Sequence, residues 1–364
     1  MGKRRRFLRR AGIAVSATLV GCIQMGDEES SPDNGGGDPD ATDEPTATGT
    51  ATATAADEDN DSGTETDEST PMDTPEPPAL GTWPTFGHDL ANTGSIDVPG
   101  ADSAETVWQV ETGNTINNSP AIASDTVFFG NLGGTVYALD ADTGTVRWRR
   151  DTGSGISSPA TYDDGTVYVA NSGGSVRPFD AATGEPGWTF KATRAVTTGI
   201  AVTSNRVFFG GDDNTLYAVE TDSGNFAWNH ETYGDIKTTP AVYEGSVYYG
   251  SNAGTMFASS TGDGSPGWQT KTEGGIKSGP VVANDRVYFG DNSGTVYSLT
   301  SYGGVEKWST GVGSRITASP ALADGTLVVT DRSGDVAGID VDDGTMRWEI
   351  HLDTAASSPA IADD

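Results

Sequence analysis

LDADTGTVRW (residues 139–148), FDAATGEPGW (179–188) and VETDSGNFAW (219–228) are copies of one pattern at intervals of 40 residues. Each copy places a glycine four residues before a tryptophan. The tryptophan recurs at the same interval in seven copies: Trp108, Trp148, Trp188, Trp228, Trp268, Trp308 and Trp348. The glycine recurs in six: Gly144, Gly184, Gly224, Gly264, Gly304 and Gly344. Self-similarity at one fixed period indicates a repeat protein.

Between these markers, short runs of β-branched and aromatic residues alternate with Gly, Asn and Asp. Examples are DTVFFG (125–130) and GTVYALD (134–140). Such runs predict short strands joined by tight turns, four strands to each period. The 49 glycines and 18 prolines leave no uninterrupted amphipathic helix, which excludes helical repeats of similar length. The sequence therefore predicts an all-β fold, a β-propeller of four-stranded blades with six complete blades and an incomplete seventh.

The seventh copy contains only the start of a blade. SPAIADD (358–364) supplies one strand, and we expect TVWQVET (106–112) to pair with this last blade, which leaves two middle strands missing. An unpaired strand edge of this kind favours aggregation. A truncated gene would produce the same ending, and the mass of the native protein tests for it.

The repeated glycine and tryptophan have a structural interpretation. The glycine is expected to adopt a positive φ in the turn between the third and fourth strands, because only glycine does so at little cost. We expect each tryptophan to pack against the neighbouring blade. A buried indole hides about 150–250 Å². At roughly 25 cal/mol per Å², that area contributes at most about 4–6 kcal/mol for each tryptophan.

The chain is strongly acidic, with 52 Asp and Glu against 21 Lys and Arg and a formal charge of -31. This charge repels nucleic acid and anionic lipid, and both are excluded as partners. One interpretation is an acidic face for a cationic partner. The other is adaptation to concentrated salt, where the Debye length is only about 3 Å at 1 M. Six lysines against fifteen arginines favour the second interpretation.

Residues 1–22 read as an export signal. A basic cluster precedes the apolar run 11–20, which is too short to span a membrane. The cluster resembles the core of a twin-arginine signal at Arg4, Arg5, Phe7 and Leu8. Leu19-Val20-Gly21-Cys22 resembles a lipobox, so that the whole is similar to a lipoprotein signal of the haloarchaeal type. This resemblance implies lipidation of Cys22, the only cysteine; an ordinary secretory signal is the alternative.

Residues 23–82 carry 17 acidic and no basic side chains and hardly any large apolar ones. Such a composition cannot offset the ordering entropy of about 1–2 kcal/mol per residue, which predicts a disordered stalk. The expected organisation is therefore a signal over 1–22, an acidic Thr/Pro-rich stalk over 23–82 and a propeller over 83–364. Glycosylation sequons begin at Asn60 and Asn117.

Ala138-x-Asp140-x-x-Thr143-Gly144-x-x-x-Trp148 resembles the tryptophan-docking motif of pyrroloquinoline-quinone-type propeller repeats. The other copies keep the glycine and the tryptophan and lose one or more of the remaining positions. WPTFGHDLANTG (83–94) is similar to the lead-in of secreted propellers of this type. The resemblance covers residues 83–364. It implies a repeat family and a fold, and it implies no particular activity.

One branch of this family contains quinoprotein dehydrogenases, whose sites hold the quinone with a calcium ion, an Asp base and two adjacent cysteines. The chain has no Cys-Cys pair and no long insertions between its repeats. Its three histidines lack metal-ligand spacing: His88, His230 and His351. Four aspartates fall at turn positions of the repeat: Asp142, Asp212, Asp291 and Asp331. Serines of the Ser-Pro dipeptides fall at strand starts. The sequence therefore predicts no catalytic residue, no metal ligand and no quinone.

The other branch is non-catalytic and includes a lipoprotein that docks onto the bacterial outer-membrane assembly machine. This likeness implies a lipid-anchored, extracytoplasmic propeller on the outer face of the cell membrane that binds or scaffolds a protein. A halophilic archaeon has no outer membrane, so the partner itself is not implied. A quinoprotein-like enzyme, a structural surface protein and a solute-binding channel are the alternatives. Contact candidates are residues that break the repeat: Arg177, Arg194, Tyr233, Lys237, Lys277, Tyr302 and Arg315.

Overall fold

The computed structural model describes residues 11–12, 82–99, 106–353 and 357–363. The chain divides into two compact units, Met1–Gly21 with Leu80–Asp364, and Cys22–Ala79. The second unit contains no described residue. The export-signal residues Arg4, Arg5, Phe7, Leu8 and Cys22, and residues 23–81 of the stalk, lie outside the described residues. The part of the chain that the structure describes contains no apolar helix of membrane-spanning length.

Six antiparallel sheets of four strands succeed one another along the chain. We call them blades one to six, and the four strands of each blade A, B, C and D in chain order. Blades one to three contain β3 (Ala121–Ala123), β4 (Thr126–Gly130), β5 (Thr135–Asp140), β6 (Val146–Asp151), β7 (Thr161–Asp163), β8 (Thr166–Ala170), β9 (Ser175–Asp180), β10 (Phe190–Lys191), β11 (Ala201–Val202), β12 (Arg206–Gly210), β13 (Thr215–Glu220) and β14 (Phe226–Glu231). Blades four to six contain β15 (Ala241–Tyr243), β16 (Ser246–Ser251), β17 (Thr255–Ser260), β18 (Pro266–Lys271), β19 (Val281–Ala283), β20 (Arg286–Gly290), β21 (Thr295–Thr300), β22 (Glu306–Gly311), β23 (Ala321–Ala323), β24 (Thr326–Thr330), β25 (Asp335–Asp340) and β26 (Met346–His351).

The seventh sheet has three strands in the order β1 (Ala11–Gly12), β27 (Ile361–Asp363) and β2 (Ser95–Pro99). β27 occupies the strand A position of this sheet and pairs antiparallel with β1 and parallel with β2. The all-β propeller with six complete blades and an incomplete seventh is therefore confirmed. The expected pairing of residues 106–112 with the last blade is wrong, because these residues form no strand. β1 lies on the edge of β27 where strand B would pair, and no described residue extends the sheet beyond β1.

Strands B and C form the interior of each blade, because a neighbouring blade covers each of their faces. TVFFG of β4 is buried along its whole length, and TVYALD of β5 is buried at its four central residues. Strand D instead alternates between exposed and buried residues, with its tryptophan directed inward. The apolar clusters join successive blades, as where Phe128 and Trp148 of blade one meet Val167 and Phe179 of blade two. The core is thus a series of interfaces between blades.

Six of the seven repeat tryptophans bind the next blade in the same way. Each Nε1–H donates to the carbonyl oxygen 33 residues further along: Trp108 to Ala141 (2.7 Å), Trp148 to Ala181 (2.8 Å), Trp188 to Thr221 (2.8 Å), Trp228 to Thr261 (3.2 Å), Trp268 to Ser301 (2.6 Å) and Trp308 to Val341 (2.9 Å). The ring lies on the repeated glycine of that blade. At Gly224, φ is 67°, and a Cβ would lie 2.5 Å from the Trp188 ring. Glycine is therefore required both by the backbone and by the indole.

Trp348 departs from this arrangement. Its Nε1 is buried and bonds to no atom of the described residues. Its ring lies against Gly338 of its own blade, in the space that a Cβ would occupy. The equivalent residues opposite the other tryptophans include Ala138, Ala218 and Ser298. No described blade presents the carbonyl and the glycine that this indole would need, and Gly338 leaves room for the ring to pack inward.

Residues 83–94, which we call the axial segment, run along the innermost strands. Trp83 and Ile122 of strand A in blade one exchange two backbone hydrogen bonds of 2.8 and 2.7 Å. Five further carbonyl groups accept N–H groups from other A strands: Pro84 from Tyr162, Leu90 from Val242, Ala91 from Val282, Thr93 from Leu322 and Gly94 from Ile361. The segment thus bonds to six of the seven sheets. The solute-binding alternative requires an open channel along the axis of the propeller. In the structure, the axial segment lies along the inner edges of the A strands and bonds to their backbone.

Asn92 fixes the axial segment between blades four and five. Its buried Nδ2 donates to the carbonyl oxygens of Thr239 (3.3 Å), Pro240 (3.3 Å) and Pro280 (3.2 Å). Asn92 and His88 both have positive φ, 58° and 73°. These backbone conformations let the segment bend from one A strand to the next.

Candidate functional site

The loops of the propeller lie on two opposite faces. Loops from strand D of one blade to strand A of the next share a face with the B–C turns, as shown by the bond from Leu132 N to Thr115 O (2.9 Å). The C–D turns share the other face with the A–B turns, as shown by the bond from Ala141 N to Asp125 O (3.0 Å). We call these surfaces the D–A face and the C–D face.

The two faces differ in charge. From the last residue of one strand to the first of the next, the A–B and C–D turns of the six complete blades carry 17 acidic and two basic residues. The B–C turns and the five D–A loops between those blades carry nine acidic and seven basic residues. The negative charge of the propeller loops is therefore concentrated on the C–D face.

Five of the seven contact candidates lie in four successive D–A loops: Arg194, Tyr233, Lys237, Lys277 and Arg315. Tyr233 is 93% exposed. Tyr302, 71% exposed, is on the C–D face instead. Arg177 lies within β9, where its Nε donates to Thr189 Oγ1 at 2.7 Å. Blades two to six thus bring five of the predicted residues to one face.

Arg332 also projects from the D–A face, and the repeat analysis missed it. It is exposed, and its backbone N–H donates to Arg315 O at 3.0 Å. The equivalent residues in the other B–C turns are Leu132, Ser172, Asp212, Asn252 and Asn292. A comparison of charge at this single repeat position would have identified Arg332.

The hydroxyl groups at the starts of the A strands satisfy backbone groups. Ser158 Oγ donates to Ala170 O and accepts from Ala170 N, both at 3.1 Å. Thr198 and Thr238 make the same contacts with Gly210 and Gly250. Hydroxyl groups also join blades: Gly199 N donates to Thr239 Oγ1 at 3.1 Å, and Gly279 N to Ser319 Oγ at 2.8 Å. These side chains stabilise the inner ring.

Three of the four turn aspartates have bonding partners that give them a structural role. Asp291 accepts N–H groups from Gly274, Ser293 and Thr295, and Asp331 accepts those of Ser314, Ser333 and Asp335. Burial raises the pKa of Asp331, but the backbone donors outweigh burial and lower it below the ordinary value. Asp212 forms an ion pair with Lys237 at 2.5 Å. Asp142 is exposed on the C–D face.

The three histidines lie apart from one another. His88 packs edge-on against Trp83, with ring centroids 5.0 Å apart. His351 Nδ1 lies 2.6 Å from Asp335 Oδ1. His230 Nδ1 lies 2.6 Å from the Tyr249 hydroxyl, which in turn contacts Ser259 Oγ at 3.0 Å. Burial lowers the pKa of His230 and raises that of Tyr249. In the described ranges, no three His, Cys, Asp or Glu side chains come together as a metal site would require.

The repeat matches a known family model over residues 92–196, 172–275 and 253–363, and the family is described as outer membrane protein assembly factor BamB. The chain belongs to this family. No curated protein sequence matches it.

Three solved structures share the fold. BamB from Moraxella catarrhalis is 21% identical, with a TM-score of 0.62 over 69% of this chain and 79% of that one. A europium-containing methanol dehydrogenase is 12% identical, with a TM-score of 0.56 over 76% of this chain and 86% of that one. The computationally designed Ika8 protein is 17% identical, with a TM-score of 0.53 over 67% of this chain and 90% of that one. At these identities the likeness establishes the propeller architecture.

Proposed function

We propose that this BamB-family chain is a non-catalytic propeller that binds a protein through its D–A face. In this proposal, lipid on Cys22 anchors it to the outer face of the cell membrane, with residues 23–82 as a spacer. Membership of a family described as an assembly factor supports a protein partner. We choose the D–A face because five residues that break the repeat lie in its successive loops, where they are exposed or half-exposed.

For an acidic partner, charge favours the D–A face over the C–D face. Such a partner would meet 17 carboxylates and two arginines on the A–B and C–D turns of the C–D face, and this repulsion opposes docking there. The D–A face is nearly balanced in charge and presents Tyr233, Arg194 and Arg315. Tyrosine and arginine are the residue types that contribute most to protein interfaces, because they combine a large contact area with hydrogen-bond donors.

The quinoprotein alternative is weaker for two reasons. The axial segment bonds to the A strands of six sheets, around the axis where a propeller of that class would place its quinone. The residues present also do not fit such a group, since the aspartates that could serve it are committed to turns and to Lys237. We therefore propose no quinone and no metal for this chain. A structural role in the cell surface remains the second candidate, favoured by the rigid disc of blades.

The test is capture of partners by the tagged full-length chain after cross-linking in intact cells. Tyr233→Ala and Arg315→Ala change the D–A face, and Tyr302→Ala is the matched control on the C–D face. Interface tyrosines and arginines contribute about 2 kcal/mol or more, so each D–A variant should reduce capture by roughly 30-fold. Tyr302→Ala should leave capture unchanged.

An equal loss in Tyr302→Ala would place the docking surface elsewhere. Quinone-dependent dye reduction by the purified protein would refute the non-catalytic assignment. Cys22→Ser, assayed by the mass of the mature amino terminus, tests the lipid anchor separately. If the mature wild-type chain has the mass expected without lipid, the anchor is removed from the proposal.

A further inference from the structure

We propose that the seam between blades one and two contains a carboxylate-binding pocket, in which the guanidinium of Arg177 and the hydroxyl of Ser175 receive one carboxylate group. This inference does not depend on the proposed function, because it rests on the geometry of a single seam. It begins from a comparison of the same two positions in successive blades.

A stacked pair of aromatic rings occupies these two positions in four of the other blades. One ring comes from strand B and the other from strand C, and the ring centroids lie close together: Phe129 and Tyr137 (5.4 Å), Phe209 and Tyr217 (5.5 Å), Tyr249 and Phe257 (5.3 Å), and Phe289 and Tyr297 (5.3 Å). In blade two the paired residues are Val169 and Arg177. Blade two therefore replaces one ring by a small apolar side chain and the other by a cation.

A cavity lies where the two rings are missing. It is lined by Thr152, the first residue after strand D of blade one, and by four residues of blade two: Val169, Asn171, Ser175 and Arg177. Its volume is about 30 Å³, roughly two to three times the 10–15 Å³ that one water molecule needs. This space admits the two oxygens of a carboxylate and is too small for a ring. Because Thr152 begins a D–A loop and Asn171 begins a B–C turn, the cavity lies at the D–A end of the seam.

Arg177 is held with the terminal edge of its guanidinium available to a ligand. Its Nε–H donates to Thr189 Oγ1 at 2.7 Å, which fixes the group from the neighbouring strand D. Among the described residues, no carboxylate lies within 4.0 Å of this guanidinium, and its two terminal nitrogens bond to no acceptor. Those two nitrogens form the fork that binds a carboxylate in a bidentate manner. Arg177 is half-exposed, so a ligand can reach this edge from solvent.

Ser175 supplies a further donor, and Lys191 orients it. Lys191 lies opposite Ser175 in the sheet, and its Nζ donates to Ser175 Oγ at 3.3 Å and to Gly173 O. Because an ammonium can only donate, Ser175 Oγ accepts this bond and keeps its own O–H for another acceptor. Within the described part of the chain, Lys191 also has no carboxylate within 4.0 Å. In a chain with 52 acidic and 21 basic residues, two neighbouring cations without a carboxylate are an exception.

The other polar groups of the cavity already have partners, which limits the ligand to a small acceptor. Asn171 donates to Thr152 O and accepts from Ser175 N, both at 3.0 Å, and the Thr152 hydroxyl donates to Gly134 O at 2.9 Å. The donors that remain are the guanidinium edge and one hydroxyl, which match the two oxygens of one carboxylate. A phosphate dianion needs more donors, and the negative charge of the chain opposes a second charge on the ligand. The ligand chemistry we assign is therefore a carboxylate, carried by a free acid or by a protein.

The experiment follows the backbone amide signal of Ser175 by NMR spectroscopy while acetate is added to the isotope-labelled full-length protein at constant ionic strength. The signal should shift and saturate. Arg177→Leu should weaken acetate binding about tenfold or more, because charged hydrogen bonds are the stronger class. Arg177→Tyr restores the residue of the repeat, so this variant should fold and should also lose the binding. Arg149→Leu removes the same charge from an exposed residue of blade one that does not line the cavity, and it should leave acetate binding unchanged.

Equal weakening by Arg177→Leu and Arg149→Leu, or a shift that grows without saturation, would show a general effect of salt and overturn the proposal. Tighter binding of phosphate than of acetate would overturn the choice of a carboxylate. The capture assay described above then identifies the source, and either result supports the pocket. Loss of capture in Arg177→Leu places the carboxylate on the partner, and unchanged capture places it on a free acid. If Tyr233 and Arg315 do not affect capture while acetate binds at Arg177, only the proposed function fails.

Discussion

Trp308 and Trp348 allow a matched test of how the blades are held together. They occupy the same repeat position in adjacent blades, and only Trp308 donates its Nε1–H to the next blade, at 2.9 Å from Val341 O. Trp308→Phe and Trp348→Phe make the same chemical change. We expect Trp308→Phe to destabilise the protein clearly more than Trp348→Phe.

The hydrogen-bond contribution sets the magnitude. Trp308 is 8% exposed and Val341 is 8% exposed, so Trp308→Phe leaves a buried carbonyl without a donor. That loss costs about 1–3 kcal/mol. Trp348→Phe removes a buried N–H that bonds to no atom in the described part of the chain, which relieves a desolvation cost. Both variants lose similar apolar ring area, and the difference between them should therefore be about 1–3 kcal/mol.

The assay is urea unfolding in constant salt, followed by circular dichroism, with thermal unfolding as a second measure. A difference of 1 kcal/mol corresponds to about 2–4 °C in Tm for a domain of 150–250 residues. Trp148→Phe, which also loses a bond, of 2.8 Å to Ala181 O, should behave like Trp308→Phe. If Trp348→Phe is as destabilising as the other two, the inter-blade hydrogen bond does not contribute as argued.

Two further predictions concern the axial segment and the buried histidine. Asn92→Ala removes the donor to three carbonyl groups and should lower the free energy of unfolding by about 2 kcal/mol or more. Asn229 is exposed, and Asn229→Ala should leave the free energy of unfolding unchanged. Equal urea midpoints for the two variants would contradict this prediction. Burial lowers the pKa of His230 from 6.5, so below that pH the unfolded chain binds a proton that the folded chain does not, and stability should fall between about pH 7 and pH 5. In unfolding experiments at a series of pH values, His230→Gln should reduce the loss of stability between pH 7 and pH 5. The same loss in the variant as in the wild-type chain would contradict the assignment to His230.

The repeat itself could be predicted because its contacts are local and identical. The glycine at position 224 and the tryptophan at 188 meet through a fixed offset, so their recurrence in sequence reports one geometry repeated around the ring. The behaviour of Trp348 could not be predicted from its own repeat. Its ring position depends on what the next blade presents and on Gly338, two features outside the motif.

The axial segment was recognisable from its sequence, but its contacts were not. Its bonds to other strands use backbone carbonyl groups, which carry no side-chain signal, and its bends use positive φ at His88 and Asn92, which are not glycines. The ion pair of Lys237 was hidden for another reason. Its partner, Asp212, lies 25 residues earlier in the chain, and only the loop packing places the two side chains together.

The separation of stability from binding follows from how blades contact one another. Each tryptophan, glycine and inner-ring hydroxyl bonds only to its own or an adjacent blade, so these positions must repeat for the ring to hold. The D–A loops join blades by backbone bonds such as Ile276 N to Ser251 O, which do not depend on side-chain identity. Residues such as Tyr233, Lys277 and Arg315 can therefore differ from blade to blade without a cost to the ring. Five of the seven residues that break the repeat lie on this face, which agrees with the proposal that it contacts the partner.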